Sequence, residues 1–230
     1  MVQVLGVCVY EDQPGGHCRI CSLCGVPEPS VETQRTYDLI AAEYARRNLL
    51  VYPQLLEDVG TVTDGLAPGS VLVDVGCGPG RDIAVLRERG FRVIGLDLSL
   101  GQLRTGGLTG VAQADMRRLP LRTGSVDAVW CQAALLHIPR EAVPAVLAEF
   151  ARAVRVGGQL YLAVAEGDGE QWEVAFNYGS DQRRWFTYHR EVDLTALLAT
   201  AGFAVHQVRR THSYRDWLAV HGHRVASSRH

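Results

Sequence analysis

The stretch VLVDVGCGPG, residues 71–80, decides the fold. Its first half, Val71 to Val75, is a short and mostly apolar run, which is typical of a buried strand. Its second half has glycine at 76, 78 and 80, and glycine permits both a tight turn and the close approach of a ligand to the backbone. A helix predicted from Arg81 to Arg89 follows, and its first N–H groups are free to meet a ligand. The stretch therefore predicts a strand, a ligand-binding loop and a helix, in that order.

Apolar strand patterns and helix patterns alternate on the C-terminal side of this loop. Further strands are predicted at residues 91–98, 111–114, 126–131 and 159–165, with helices at 100–104 and 140–154. A helix at 192–200 and two strand-like runs at 203–210 and 214–220 complete the chain. This order predicts an α/β fold, Rossmann-like, with a mostly parallel sheet, helices on both faces and an antiparallel final hairpin at the edge.

The N-terminal segment differs from the rest, and the chain divides into a tail, 1–30, and a domain, 31–230. The tail holds four of the six cysteines and has no helical period, whereas helical patterning begins near Glu32. Cys18, Cys21 and Cys24, with His17 or Cys8 as a fourth ligand, could bind zinc tetrahedrally, although their spacing is not that of a standard four-ligand site. No second C-x2-C pair follows, so we expect no metal site and a poorly ordered tail, with zinc binding as the alternative.

Composition excludes several classes of protein. The 23 basic residues are all arginine, which excludes pyridoxal-phosphate enzymes and P-loop NTPases because both require a lysine. A net charge of -2 argues against a nucleic-acid partner. There is no apolar run long enough for a membrane span, and acidic residues follow the first apolar stretch. We therefore expect a cytoplasmic protein without a membrane partner; the sequence leaves the oligomeric state open.

The charges around the loop distinguish between cofactors. Asp97 ends the second predicted strand about 20 residues beyond the loop, where an acidic side chain accepts the hydroxyls of a ribose. The dinucleotide pattern G-x-G-x-x-G requires glycine at position 81, which is Arg81. Asp74 would repel a pyrophosphate and would suit an ammonium group. S-adenosylmethionine has an ammonium group and no phosphate, so it is the predicted cofactor.

Five motifs in this order resemble the class I S-adenosylmethionine-dependent methyltransferases, in particular the small-molecule type related to ubiquinone and menaquinone methyltransferases. They are VLVDVGCGPGRD, VIGLDLS, QADMRRLPL, VDAVWCQAALLHIP and EFARAVRVGGQLYLAV. The resemblance covers about residues 36–208 and implies a seven-stranded sheet. It also implies cofactor contacts from Asp74, Gly76, Cys77, Gly78, Gly80, Asp97, Leu98, Ser99, Asp115, Met116, Cys131 and Tyr44.

The predicted reaction is methyl transfer to an O, N or C atom of a small molecule. The resemblance implies that variable elements, residues 31–60 and 166–190, choose the acceptor. Two alternatives stay open: an RNA methyltransferase with an N-terminal metal-binding module, and a binding module that keeps the fold without the chemistry.

The candidate acceptor site has a histidine and a group of aromatic residues. His137 follows the fourth predicted strand and is either a general base or a structural cap. Tyr37 and Tyr44 share one helix face and either cover the cofactor or pack in the core. The candidate substrate-binding residues in the insert are Trp172, Phe176, Tyr178, Trp185, Tyr188 and Arg184. Arg183, Arg184, His189 and Arg190 either bind an acidic acceptor or face water.

Overall fold

A computed structural model describes residues 28–226 of the chain. The strands are β1 Val71–Val75, β2 Arg92–Asp97, β3 Val111–Gln113, β4 Val126–Gln132, β5 Val154–Ala165, β6 Glu170–Val174, β7 Arg183–Thr187, β8 Phe203–His212 and β9 Asp216–Arg224. The helices are α1 Pro29–Asn48, α2 Pro53–Thr63, α3 Arg81–Glu88, α4 Leu100–Gly106, α5 Val143–Ala153 and α6 Glu191–Thr200. No helix among these residues combines the length and the apolarity needed to cross a bilayer.

Seven strands form one sheet in the order β3-β2-β1-β4-β5-β9-β8. All neighbours from β3 to β5 run parallel, whereas β9 runs antiparallel to both β5 and β8. The predicted fold class, with its antiparallel final hairpin, is confirmed. The strand order reverses between β1 and β4, and ligands bind at such a point beyond the carboxyl ends of the strands.

Each face of the sheet buries its own apolar layer. Along β4, Val129 and Cys131 point toward α5 and α6, whereas Ala128 and Trp130 point toward α2 and α3. This alternation follows from the two-residue period of a strand. With both faces covered, the strands are held rigidly, and polar groups at their ends can be placed precisely.

Three element boundaries differ from the predicted ones. Helix α1 begins at Pro29 instead of near Glu32, because proline fits the first turn of a helix. The predicted helix 140–154 begins with a 3₁₀ turn, and α5 itself starts at Val143. Strand β5 begins at Val154 and continues through Gly158, where a side chain would meet the Asp127 carbonyl oxygen at 2.7 Å.

The insert after β5 is more ordered than its sequence indicates. The stretch 166–181 is polar and contains glycines, which is typical of an irregular segment, but β6 within it pairs with β7 as an antiparallel hairpin outside the main sheet. The strands have five residues each, and their polar composition hides the alternation. The hairpin packs against α1, so the two variable elements lie together beside the carboxyl ends of the strands.

Candidate active site

The glycine loop between β1 and α3 folds back on the end of β2. The N–H groups of Gly76 and Cys77 donate to the Leu96 carbonyl oxygen at 2.7 and 3.1 Å, and Gly78 N donates to Asp97 Oδ2 at 2.8 Å. These donors are therefore used within the protein and do not form a cradle for phosphate. The loop therefore differs from a dinucleotide-binding loop in its hydrogen bonds as well as in its sequence.

Gly76 is a position where no other residue fits. Its φ is +78°, and a Cβ there would lie 2.1 Å from the Cβ of Ala134. We expect Gly76→Ala to lower the free energy of unfolding by about 3 kcal/mol or more, from backbone strain and overpacking together. The control is Gly69→Ala, since Gly69 has a similar φ of +81° with open space around it and should lose only about 1 kcal/mol. Urea unfolding of both variants measures the difference, and equal losses would contradict the steric argument.

Asp97 is held at the end of β2 by two backbone donors. Besides the bond from Gly78, its Oδ1 accepts a hydrogen bond from Ser99 N at 2.7 Å. Burial raises the pKa of Asp97 to about 6, although the bonds from Ser99 and Gly78 act in the opposite direction. The carboxylate is thus fixed and partly desolvated, and it lines a cavity beside the glycine loop.

This first cavity lies between α1 and the ends of β1, β2 and β4. Eight of the predicted cofactor residues line it: Tyr44, Gly76, Gly78, Asp97, Leu98, Ser99, Asp115 and Met116. The Asp115 carboxylate also pairs with Arg117, with Nη2 and Oδ2 2.7 Å apart. Asp38 ties α1 over the cavity, because its Oδ1 accepts hydrogen bonds from Ser99 Oγ at 2.6 Å and Gly101 N at 2.7 Å. Sequence reasoning missed Asp38, whose partners lie more than 60 residues away.

A second cavity, of about 470 Å³, continues from the first past the glycine loop. Asp74 lines it, is 1% exposed, and has an Oδ2 without a hydrogen-bond partner. Burial and the nearby Asp82 carboxylate raise the pKa of Asp74 well above its usual value. A buried carboxyl oxygen without a partner is costly, and a cationic ligand group would satisfy it.

Two predicted cofactor residues line neither cavity. Cys131 is fully buried, because its position on β4 turns the side chain into the core beneath α5. Gly80 turns the chain into α3 with φ +90°, and it leaves room for Leu108, whose Cδ1 lies 2.1 Å from where a Cβ would be. Neither residue thus reaches a cavity wall, and their cofactor contacts stay predictions. Cys77 lines the second cavity, and burial raises the pKa of its thiol.

His137 lies where the two cavities meet, within a chain of hydrogen bonds. Its Nδ1 is 2.6 Å from the Trp185 carbonyl oxygen, which only accepts, so Nδ1 carries the proton. Its Nε2 is 2.7 Å from the Tyr37 hydroxyl, which therefore donates to it, and Arg184 Nη1 donates to the Tyr37 oxygen at 3.2 Å. Burial, reinforced by the Arg184 charge, lowers the pKa of His137 to about 3, and burial raises that of Tyr37 to about 12.

Of the two roles left open for His137, this geometry favours the structural one. The imidazole is neutral at pH 7, and its one lone pair already accepts the Tyr37 hydroxyl proton. His137 acts on Tyr37 rather than directly on a ligand. Tyr37 and Tyr44 stand edge to face, 5.5 Å between ring centroids, and both line the two cavities.

The predicted substrate residues separate according to the hairpin's alternation. Arg184 and Phe186 point from β7 into the second cavity, and Tyr178 joins them. Four predicted residues line neither cavity: Trp172, Phe176, Trp185 and Tyr188. Trp172 and Trp185 pair on the other face of the hairpin, Phe176 is 77% exposed, and the Tyr188 hydroxyl donates to Glu173. The six candidate residues therefore do not line one pocket, because neighbouring strand residues face opposite sides.

Asp58 and its partners form a polar cluster on the wall of the second cavity that no sequence motif indicates. Asp58 accepts hydrogen bonds from Arg209 at 2.5 Å and from the Tyr161 hydroxyl at 3.1 Å. Its partners come from β5, β8 and β9, so no local pattern signals it. Arg81 also lines this cavity and pairs with Asp82 at 2.5 Å. Its position directly after the glycine loop could have indicated that it lies at the site.

The N-terminal metal question lies outside the described residues. Cys8, His17, Cys18, Cys21 and Cys24 all precede residue 28, so the dispensable-tail and zinc alternatives remain predictions. Within residues 28–226, no three His, Cys, Asp or Glu side chains form a group that could hold a metal ion.

Comparison with known proteins agrees with the geometry. Residues 73–162 match the family model described as a methyltransferase domain. A malonyl-[acyl-carrier protein] O-methyltransferase from Serratia marcescens is 34% identical over 131 residues, which are 52% of this chain and 51% of that protein. A ubiquinone biosynthesis O-methyltransferase from Idiomarina loihiensis is 30% identical over 131 residues, 53% of each chain. The chain thus spans about half the length of these curated relatives.

Among solved structures, the fold matches the Burkholderia thailandensis 1,6-didemethyltoxoflavin-N1-methyltransferase with bound 1,6-didemethyltoxoflavin and S-adenosylhomocysteine. The TM-score is 0.67 at 19% identity, covering 87% of this chain and 92% of that one. At this identity the likeness concerns the fold. The RNA alternative gains no support from these likenesses.

Proposed function

We infer that this chain, which carries a class I S-adenosylmethionine-dependent methyltransferase domain, transfers a methyl group from S-adenosylmethionine to a small-molecule acceptor. One observation carries the inference: the unpartnered Asp74 Oδ2 lies buried beside a glycine loop whose other side is fixed by Asp97. An ammonium group at Asp74 and ribose hydroxyls at Asp97 together match this cofactor. The curated relatives, whose names describe methylation of malonyl-acyl carrier protein and of a ubiquinone precursor, support the same reaction class.

The residues present fit the cofactor in three places. Asp97 would accept hydrogen bonds from the ribose, Leu98 and Met116 would provide apolar walls for the adenine, and Asp74 would pair with the ammonium group. Arg81 directly follows the glycine loop, and its Nη2 makes no hydrogen bond within residues 28–226, so it would take the carboxylate of the methionine part. When bound, the cofactor supplies a methyl group already activated by the sulfonium, so the protein's task is to orient and desolvate.

Tyr37, Tyr44 and the hairpin would exclude water from the transfer. Tyr37 is held from both sides, by His137 and by Arg184, at the place where the two cavities meet. We propose His137 as a positioning residue that keeps the Tyr37 hydroxyl directed away from the acceptor. The cytoplasmic location stays a prediction.

Binding and transfer test this function separately. Calorimetry should show S-adenosylhomocysteine binding to the full chain and NADH failing to bind. Mass spectrometry of a metabolite panel incubated with methyl-labelled S-adenosylmethionine should then show label in a product. Binding without any transfer would favour the non-catalytic module, and NADH binding would overturn the cofactor assignment.

The pH dependence of turnover tests the role of His137. Because its pKa is lowered from 6.5 to about 3, the imidazole stays neutral as the pH rises through 6.5. We therefore expect no step in kcat near pH 6.5. His137→Ala should lower kcat by about 10-fold, through loss of the Tyr37 position, with an unchanged pH profile. If kcat of the wild type shows a step near pH 6.5 that is absent from His137→Ala, His137 acts as a general base and the positioning role is wrong.

A further inference from the structure

Arg184 is a buried cation without an anion. The residue is 6% exposed, and the only hydrogen bond of its side chain within the described residues goes to the neutral Tyr37 hydroxyl. Its guanidinium lies 5.5, 5.2 and 5.2 Å from the ring centroids of Tyr37, Tyr178 and Phe186. Its Nε is buried without a partner. Burying a guanidinium costs free energy that aromatic rings offset only in part.

The other arginines around this cavity are neutralised. Arg81 pairs with Asp82, and Arg209 pairs with Asp58, each at 2.5 Å. The neighbours of Arg184 in sequence are neutralised too, since Arg183 pairs with Glu32 and Arg190 with Asp168. Among the arginines of residues 28–226 that line this cavity, Arg184 is thus the one without an acidic partner in the protein.

The position of Arg184 separates its ligand from the cofactor. Asp74 feels the charges of Arg81, Asp82 and Asp97, which belong to the glycine-loop side. The charge of Arg184 instead lowers the pKa of His137 and of Tyr37, which lie at the hairpin side of the cavity. The methionine carboxylate therefore has Arg81 within its own region, and Arg184 faces the region left for the acceptor.

The groups beside Arg184 also provide no base. His137 is neutral with its lone pair occupied, and Tyr37 holds its proton. Asp58 and Asp82 are paired with arginines. His212 also lines the cavity, where its Nδ1 pairs with Asp216 at 2.6 Å. An acceptor whose reacting group lies against Arg184 therefore meets no base among the direct contacts of Arg184. An acceptor that arrives ionised needs none.

We propose that the methyl acceptor is a small organic anion with a flat apolar body, bound through its charged group by Arg184 between Tyr37, Tyr178 and Phe186. This deepens, and rests on, the methyltransferase function proposed above. An ionised oxygen of the acceptor forms the new O–CH₃ bond while the S–CH₃ bond breaks, and the bonding pair stays on sulfur. Anion and sulfonium become a neutral ester or ether and a neutral thioether, so no proton moves. The product has lost the charge that Arg184 holds, which favours its release.

The test measures binding of matched probes in the presence of saturating S-adenosylhomocysteine. Calorimetry compares benzoate, hexanoate and phenyl phosphate with the neutral benzamide on the full chain. We expect the anions, benzoate foremost, to bind at least 10-fold more tightly than benzamide. Arg184→Gln should weaken anion binding by about 30-fold or more and leave the Kd of S-adenosylhomocysteine unchanged.

Arg183→Gln is the matched control, because Arg183 is the adjacent arginine on the exposed face of the hairpin and should leave every affinity unchanged. Arg184→Lys keeps the charge and should recover part of the anion affinity even if Arg184→Gln folds poorly. Equal binding of benzoate and benzamide, or no binding of any probe, would overturn the proposal. Loss of S-adenosylhomocysteine binding in Arg184→Gln would overturn it too, since Arg184 would then serve the cofactor. If the wild type does not bind S-adenosylhomocysteine, that result contradicts the proposed methyltransferase function itself.

Discussion

Replacing Asp97 with alanine is expected to weaken S-adenosylhomocysteine binding by about 100-fold or more. The carboxylate is already aligned by Gly78 N and Ser99 N, so the ribose hydroxyls meet an acceptor that needs no reorganisation. Two charge-assisted hydrogen bonds are worth about 3 kcal/mol or more in a partly desolvated site. Arg92→Ala, at the exposed opposite end of β2, is the control and should bind normally. Calorimetry at pH 7.5 measures both, and an unchanged affinity of Asp97→Ala would remove Asp97 from the site.

The same carboxylate should make cofactor affinity depend on pH. In the free protein its pKa is about 6, raised by burial, and hydroxyl donors bind the ionised form. Binding therefore lowers the pKa, and affinity should fall by up to about 10-fold per unit as the pH drops below 6. Asp97→Asn has no carboxyl group to titrate and should lose this slope. A wild-type affinity that is constant from pH 7 to 5 would contradict the assignment.

Asp74→Asn is expected to change stability and affinity in opposite directions. The buried carboxyl oxygen has no partner in the free protein, so its replacement by an amide should raise the free energy of unfolding by about 1–2 kcal/mol at pH 7. The pKa of Asp74 is raised in the folded state, so its charge opposes folding above the unfolded value of about 4. The gain should therefore vanish below pH 4. Cofactor affinity should fall by about 30-fold, because an amide does not neutralise an ammonium.

Asp127→Asn provides the matched comparison for Asp74. Asp127 accepts from Arg155 Nε at 2.6 Å and from Val71 N at 2.8 Å, and these bonds, against burial, lower its pKa. This substitution should lower the free energy of unfolding at pH 7 and leave cofactor binding unchanged. Urea unfolding and calorimetry on the two variants measure both signs. A loss of stability in Asp74→Asn would mean that Asp74 has a partner in the free protein.

The cofactor half of the site is largely local in sequence. Asp74 lies on β1, the glycine loop follows β1 directly, and Asp97 ends the adjacent strand β2. A parallel sheet brings the ends of adjacent strands together. Their spacing was therefore sufficient to predict a ligand site with a carboxylate on each side. Cys131 on β4 and Gly80 at the end of the glycine loop do not line a cavity, although both lie in the motifs that indicate a cofactor site. Whether such a residue faces the core or a cavity depends on neighbours from other elements.

The sequence by itself determined the order of strands and helices, the glycine turn and the acidic strand ends, because these depend on local periodicity and on backbone conformations that glycine permits. The arrangement of His137, Tyr37 and Arg184 around the second cavity depends on tertiary contacts. His137 meets Tyr37 across 100 residues, and the burial that lowers its pKa comes from elements far apart in the chain. The hairpin register decided that Arg184 faces the cavity while Arg183 finds Glu32 outside it. Desolvation and charge pairing are properties of the assembled fold, so no sequence pattern could show which arginine remains for a ligand.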